Sequence, residues 1–217
     1  MEYIVLEIDD IEDVLKKNYV IYCHKEILKK AFDDPNKIDN LDYWISKINK
    51  HPKNWFLFII FDKNKVPIAI LVAEKFIFSK SILISYVVVK PIFQGKNLPS
   101  LLFDSLKKIT PGEYTYFSEI ERYSEKKINK KRILARQKWI CRMGFSHIPI
   151  NYIQPPIYEG YDYVYDMNLF YYPSRKEIKR GEIIDFLKEY YESLGLSKTE
   201  SLKTIKASFE GPFIGLS

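Results

Sequence analysis

The sequence predicts a single α/β domain followed by a C-terminal helical extension. Three consecutive apolar runs, 54–61, 66–78 and 81–89, are separated by short polar, turn-forming segments. That is the pattern of an antiparallel meander. Around them lie stretches whose apolar residues recur at helical spacing. The composition agrees: of 217 residues, 47% are apolar and 29% charged, as in an ordinary globular chain long enough for one full core.

The elements follow in order. Residues 2–8 alternate and read as a strand. Asp9 and Asp10 are placed to cap a helix over 11–32 with a break near Tyr19, ended by Pro35 and Asn36. A short helix over 41–50 puts Leu41, Trp44, Ile45 and Ile48 on one face, and His51-Pro52 stops it. Asp62–Lys65 and Phe78–Ser81 are the two turns of the meander. A Gly/Pro-containing loop over 90–97 opens an amphipathic helix to about 109, which Thr110-Pro-Gly112 breaks. A strand over 114–121, a charged loop and a helix over 131–143 come next, with Gly144 as a left-handed cap. Strands near 145–152 and 163–171 complete the domain, assigned to residues 1–172. Beyond Pro173 the composition changes. Helices over 176–193 and 198–209, the latter ended by Gly211-Pro212, make a tail at 173–217 that packs on the domain or serves an oligomer contact such as a homodimer.

Several classes are excluded. The longest apolar run, Trp55 to Phe61, has seven residues, whereas a spanning helix needs about 20; no membrane partner is expected. The start lacks a basic stretch followed by an apolar one, so no signal peptide is expected. Two cysteines, Cys23 and Cys141, cannot make a disulfide framework. With no export signal they point to the cytoplasm. Cys141 reads as packed beside Trp139 and Met143. His24, His51 and His147 are scattered, so no metal is expected. The net charge is +6, but 28 of the 34 cations are lysines in an Ile-, Asn- and Tyr-rich chain. Only Lys126, Lys127, Lys130, Lys131 and Arg132 cluster, and they read first as a solvated loop and helical turn.

The segment with chemistry is Val87-Val88-Val89-Lys-Pro91-Ile-Phe93-Gln94-Gly95-Lys96-Asn97-Leu98-Pro99-Ser100-Leu-Leu102. A strand enters a loop that opens a helix. The first N–H groups of a helix lack partners, and its dipole favours an anion there, so a phosphate fits such a turn. Gly95 permits close approach, Asn97 tolerates left-handed angles, and Lys96 adds charge. No G-x-x-x-x-G-K-[ST] and no G-x-G-x-x-G is present, so neither a P-loop nor a dinucleotide fingerprint applies.

Pro91, Phe93, Gln94, Gly95, Ser100 and the leucines resemble the loop of the GNAT superfamily of acetyl-CoA-dependent N-acyltransferases, V-x-P-x-[YF]-[RQ]-G-x-G-x-[GA]. Asn97 and Pro99 stand where the family has glycines, and Pro99 has no N–H to offer a phosphate. Trp139 to Gly144-Phe145 resembles the family's Gly-Phe helix end, and the element order is similar over residues 2–172. Glu119-Ile-Glu121, Arg136 to Phe145 and Tyr152-Ile-Gln154-Pro-Pro156 resemble a bacterial subgroup of it.

The resemblance implies a GNAT-like central mixed, mostly antiparallel sheet flanked by helices. It also implies acetyl-CoA as co-substrate. The backbone of Val87, Val88 and Val89 would pair with the pantetheine arm. Gln94, Gly95, Lys96, Asn97, Leu98 and Ser100 would hold the pyrophosphate. Glu119 or Glu121, two apart on one face of a strand, would act as base or amine binder; the bland alternative is a carboxylate paired with Arg122 or Arg136. Tyr152 and Gln154 would contact a small-molecule or peptide amine. The family's usual tyrosine acid falls at Ile140. The tyrosines at 158, 161, 163 and 165 read as an amphipathic strand and surface loop. The expected function is acetyl transfer to an amine by direct attack. A non-catalytic acyl-CoA-binding or sensing protein is the first alternative, and a nucleic-acid-binding module the second.

Overall fold

A computed structural model describes residues 3–32, 38–51, 53–110, 112, 114–127, 129–157, 161–173 and 178–210. Pro35, Asn36, Pro52, Pro111, Tyr158 and Gly211-Pro212 lie outside them. The elements are β1 (Ile4–Ile8), α1 (Val14–Tyr22), α2 (Leu41–Lys50), β2 (Trp55–Phe61), β3 (Pro67–Phe76), β4 (Ser81–Val89), α3 (Leu98–Ile109), β5 (Thr115–Glu121), α4 (Lys130–Arg142), β6 (Ser146–His147), β7 (Met167–Tyr172), α5 (Arg180–Ser193) and α6 (Lys198–Glu210). The strands form one mostly antiparallel sheet in the order β1-β2-β3-β4-β5-β7-β6. The chain divides into two compact units, Met1–Lys75 with Ile84–Tyr114 and Phe76–Leu83 with Thr115–Ser217.

In the first unit β2 is buried at all seven positions. That explains why its sequence is a continuous apolar run rather than an alternation: a strand covered on both faces has no polar side. Leu57 and Ile59 join Val20, Ile27, Leu28, Trp44 and Ile48 in one core, while α3, with Leu98, Leu102, Phe103 and Leu106 buried, also packs on β2. Each such side chain contributes roughly 1.5–3 kcal/mol by leaving water.

Asp13, not Asp9 or Asp10, caps α1: its carboxylate accepts the Leu15 N–H at 2.7 Å. Asp9 and Asp10 instead bind Lys16 at 2.7 and 2.5 Å. The helix does not break at Tyr19. It runs on as a π turn over Cys23–Leu28 and ends at Lys29–Ala31. Tyr19 lies within the uninterrupted helix and packs its ring on Phe61, at 4.8 Å between centroids.

The second unit holds β5, β7 and β6, with α4, α5 and α6. Helix α4 ends on Gly144 at φ 88°. The N–H of Phe145 reaches the Ile140 carbonyl (3.2 Å) and that of Gly144 reaches Cys141 (3.0 Å). These two bonds are a Schellman motif, closed by burial of both Ile140 and Phe145. The strand expected over 145–152 is only the two residues of β6. The chain there leaves the sheet: Ile150 bonds Ile148, Asn151 bonds the Ser208 carbonyl of α6, and Gln154 forms an isolated bridge with Val164. The apolar alternation at 148, 150 and 152 feeds the core beneath α5 rather than a strand ladder. Cys141, expected to be packed, is exposed. Among the described residues no helix is long and apolar enough to cross a membrane.

Candidate functional site

In the first unit, β4 delivers the chain into the loop that opens α3. Val88 is buried in the core, whereas Val87 and Val89 are half-buried on the other face. A single 3-10 turn, Pro91–Phe93, follows. Gly95 then adopts φ +80°, where an added Cβ would meet nothing within 4 Å. Asn97 sits at φ 56° immediately before the helix. Two left-handed residues in three reverse the chain, and Gln94 to Asn97 remain exposed around them. Lys96 keeps its ammonium over the Phe93 ring, 4.9 Å from the centroid, so its charge stays in the loop. The Ser100 hydroxyl bonds Asn97 Oδ1 at 2.5 Å, and the N–H groups of Ser100 and Leu101 turn back to the Asn97 carbonyl. With Pro99 offering no N–H, the donors suited to an anion are those of Gly95 to Leu98, aided by the helix dipole.

In the second unit, Glu119 is the centre of a hydrogen-bonded cluster. The Tyr152 hydroxyl donates to its Oε1. Gln154 Nε2 donates to Oε2 at 3.3 Å, and the Tyr190 hydroxyl reaches Oε2 at 3.4 Å. Tyr152 is completely buried. Burial, and then the negative charge of Glu119, push its phenol well above the ordinary range, so it remains a donor. Tyr191 is raised for the same two reasons and donates to the Ile153 carbonyl at 2.6 Å. The segment carrying Tyr152 and Gln154 is thereby fixed. A carboxylate held by several donors keeps one orientation, which suits proton acceptance or ammonium binding.

Glu121 shares the face of Glu119 but has a different setting: Arg136 Nη1 lies 3.8 Å from its Oε2, and Gln137 bonds its backbone carbonyl. The structure therefore brings Glu119, Tyr152 and Gln154 together and pairs Glu121 with Arg136. Arg122 reaches Asn168, Asn151 and the Met167 carbonyl at 3.3–3.4 Å. Ile140 is buried and belongs to the helix end. Lys127 and Lys130 of the basic cluster bind Asp166 and Glu125 at 2.5 and 2.6 Å. The Tyr163 and Tyr165 rings are tilted at 40° with centroids 6.5 Å apart, and Tyr165 is largely exposed. No group of three potential metal ligands occurs among the described residues. Sequence reasoning missed Tyr190 and Tyr191. Their signal is the Phe186-x-x-x-Tyr190-Tyr191 spacing on α5, an aromatic pair one helical turn apart.

By architecture this is a GNAT fold. Similar solved structures include a GNAT-family protein from Bacteroides thetaiotaomicron, with TM-score 0.59, 19% identity, and coverage of 90% of this chain and 94% of that one. The ribosomal-protein-S18-alanine N-acetyltransferase of Escherichia coli aligns with TM-score 0.50 and 14% identity over 82% of this chain and 98% of its own. A spermidine N-acetyltransferase SpeG chimera from Vibrio cholerae and hSSAT aligns with TM-score 0.51 and 14% identity over 79% and 95%. No family model and no curated protein sequence matches the chain.

Proposed function

We propose that the protein is an acetyl-CoA-dependent N-acetyltransferase acting on an amine by direct attack. The observation that carries the reading is the loop ahead of α3. Gly95 and Asn97 are both left-handed, with open space where a Cβ at Gly95 would project. That is the backbone shape a pyrophosphate needs for close approach to N–H groups. Lys96 supplies a cation beside them. The backbone of Val87, Val88 and Val89 is assigned to the pantetheine arm. Acetyl-CoA supplies an activated thioester; this chain's residues bind it and prepare the amine.

An amine attacks only when neutral, so its proton must go to a base. Glu119 is the assigned base. Tyr152 and Gln154 hold its carboxylate in place, and in this role Tyr152 acts through Glu119 rather than by touching the amine. As the C–N bond forms and the C–S bond breaks, the amine proton passes to Glu119. The departing sulfur needs no dedicated acid, because a thiol is far more acidic than an alcohol or an amine and its thiolate leaves without prior protonation. Ile140 in place of a tyrosine is compatible with this. The names of two similar structures, an acetyltransferase for a protein's alanine and one for spermidine, support an amine of either peptide or small-molecule type.

Two observations favour a second reading, a non-catalytic acyl-CoA binder: Ile140 is buried and Pro99 removes one donor from the loop. Turnover separates the two. CoA release is followed with a thiol reagent over a panel containing spermidine, alanine-ended peptides and simple primary amines. The enzyme reading predicts release with at least one amine. It also predicts a roughly 10²–10⁴-fold lower kcat/KM in Glu119→Gln, with acetyl-CoA affinity retained. Saturable acetyl-CoA binding with no turnover over the panel would establish the second reading.

A further inference from the structure

The C-terminal helices carry more than packing. On β5, Phe117 and Glu119 are two residues apart and share a face. On α5, Phe186 and Tyr190 are four apart and share a face. Two strand residues advance about 6.8 Å and four helical residues about 6 Å, so the two pairs run in register. Phe117 stacks on Phe186 with centroids 4.0 Å apart and planes within 3°. Phe186 in turn lies parallel to Tyr190, at 5.7 Å and 7°. Phe76 abuts the edges of both, at 5.8 and 5.9 Å. The Tyr190 ring is thus fixed by two aromatic neighbours, Phe186 and Phe76, and its hydroxyl reaches Glu119 Oε2. The next residue, Tyr191, anchors the Ile153 carbonyl, and the Ser208 carbonyl of α6 receives the Asn151 N–H.

We infer that α5 and α6 are a structural part of the acceptor site, with Tyr190 a positioning residue that orients the Glu119 carboxylate. The inference rests on the reading of Glu119 as the group that receives the amine proton. Packing alone does not require a hydroxyl at 190: a phenylalanine would complete the same stack. The hydroxyl is the part of Tyr190 that addresses the carboxylate. Tyr191, one residue on, holds the other half of the cluster through the backbone of Ile153. One helical turn therefore sets both the base and the segment that carries its other donors, Tyr152 and Gln154.

The test is the titration of Glu119, read as the carboxyl carbon signal of glutamate-labelled full-length protein and assigned by its loss in Glu119→Gln. Among the described residues, Tyr152, Tyr190 and Tyr191 are titratable side chains that face this carboxylate from the 152–154 segment and α5. Tyr190→Phe keeps the ring and deletes one donor to the ionised form. The midpoint should rise by roughly half a pH unit or more. Replacing Tyr190 with 3-fluorotyrosine preserves the shape and makes the hydroxyl a stronger donor, so the midpoint should fall. This second protein carries the test should Tyr190→Phe fold poorly. Opposite movements from two nearly isosteric rings cannot come from packing. A midpoint unmoved in both would overturn the assignment. Titration of the unmodified protein with acetyl-CoA keeps the outcomes apart: absent binding strikes the acetyltransferase reading, whereas normal binding with an unmoved midpoint strikes Tyr190 alone.

Discussion

Asp39 shows how a buried side chain of the first unit leaves a measurable mark outside the proposed chemistry. Its N–H donates to the Tyr86 hydroxyl at 3.0 Å, and its carbonyl faces His24 Nε2 at 2.8 Å. Burial drives its carboxyl from the ordinary 3.8 to about 6, only partly offset by hydrogen bonding from Tyr86. Between those values the folded chain binds the proton more tightly than the unfolded chain. Stability contributed by this group therefore falls as pH rises from about 4 to about 6. Burial lowers the pKa of His24, so its contribution runs the other way and is lost as pH drops below the ordinary histidine value of 6.5. Comparing Asp39→Asn with the unmodified protein cancels the histidine. Urea melts from pH 4 to 7 should show the variant gaining relative stability with rising pH. The gain should level off near about 3 kcal/mol above pH 6, since each pKa step is worth about 1.36 kcal/mol. A constant difference across that range would contradict the assignment. Tyr152 and Gln154 stand out in one short motif and Glu119 on one strand face, whereas their meeting across 33 and 35 residues was not legible. Nor were Asp39 and Tyr190. Asp39 meets Tyr86 across 47 residues, and Tyr190 meets Glu119 across 71; no local pattern encodes such a meeting.

Elements with a strong local cause were legible to within a residue or two. Helix α2 matches its expected range because Asn40 caps it, with Oδ1 accepting the Tyr43 N–H at 2.7 Å. The hairpin after β2 forms because Asp62 Oδ1 accepts the N–H groups of Asn64 and Val66, each at 2.9 Å. The π turn in the first helical segment was not legible, since its cause is the placing of Cys23 and His24 in the core rather than any propensity. The part of the expected 145–152 strand beyond β6 failed for a similar reason: the Asn151 N–H finds the Ser208 carbonyl and that of Ile150 the Ile148 carbonyl instead of a ladder. The end of α4 is the element most open to a clean test. Gly144 is left-handed, and a Cβ there would lie 3.2 Å from the Tyr172 ring. Gly144→Ala adds left-handed strain of roughly 1–2 kcal/mol to that contact. Equilibrium unfolding should show a loss of at least that size. A neutral substitution would mean that the Schellman end does not anchor α4.

For the molecule entire, the sheet order and the helical complement are those of a GNAT fold, and α5 and α6 complete the core of the second unit with Phe186, Leu187, Tyr190, Tyr191 and Ile205. The sequence carried this architecture through an apolar strand buried on both faces, a Gly-Phe helix end and the loop after β4. Net charge was a poorer guide. Part of the basic cluster is taken up by Asp166 and Glu125, which supports its bland reading. The central claim is that the loop from Gln94 to Ser100 holds acetyl-CoA. Calorimetric titration with acetyl-CoA, and separately with CoA, tests it most directly, beside the variant Gly95→Glu. That variant puts a carboxylate into open space at an exposed loop, where it repels a phosphate and, at φ +80°, strains the loop backbone while leaving the core untouched. We predict saturable micromolar binding of both ligands to the unmodified protein and its loss in Gly95→Glu. Absence of binding at millimolar ligand, or undiminished binding by Gly95→Glu, would contradict the claim.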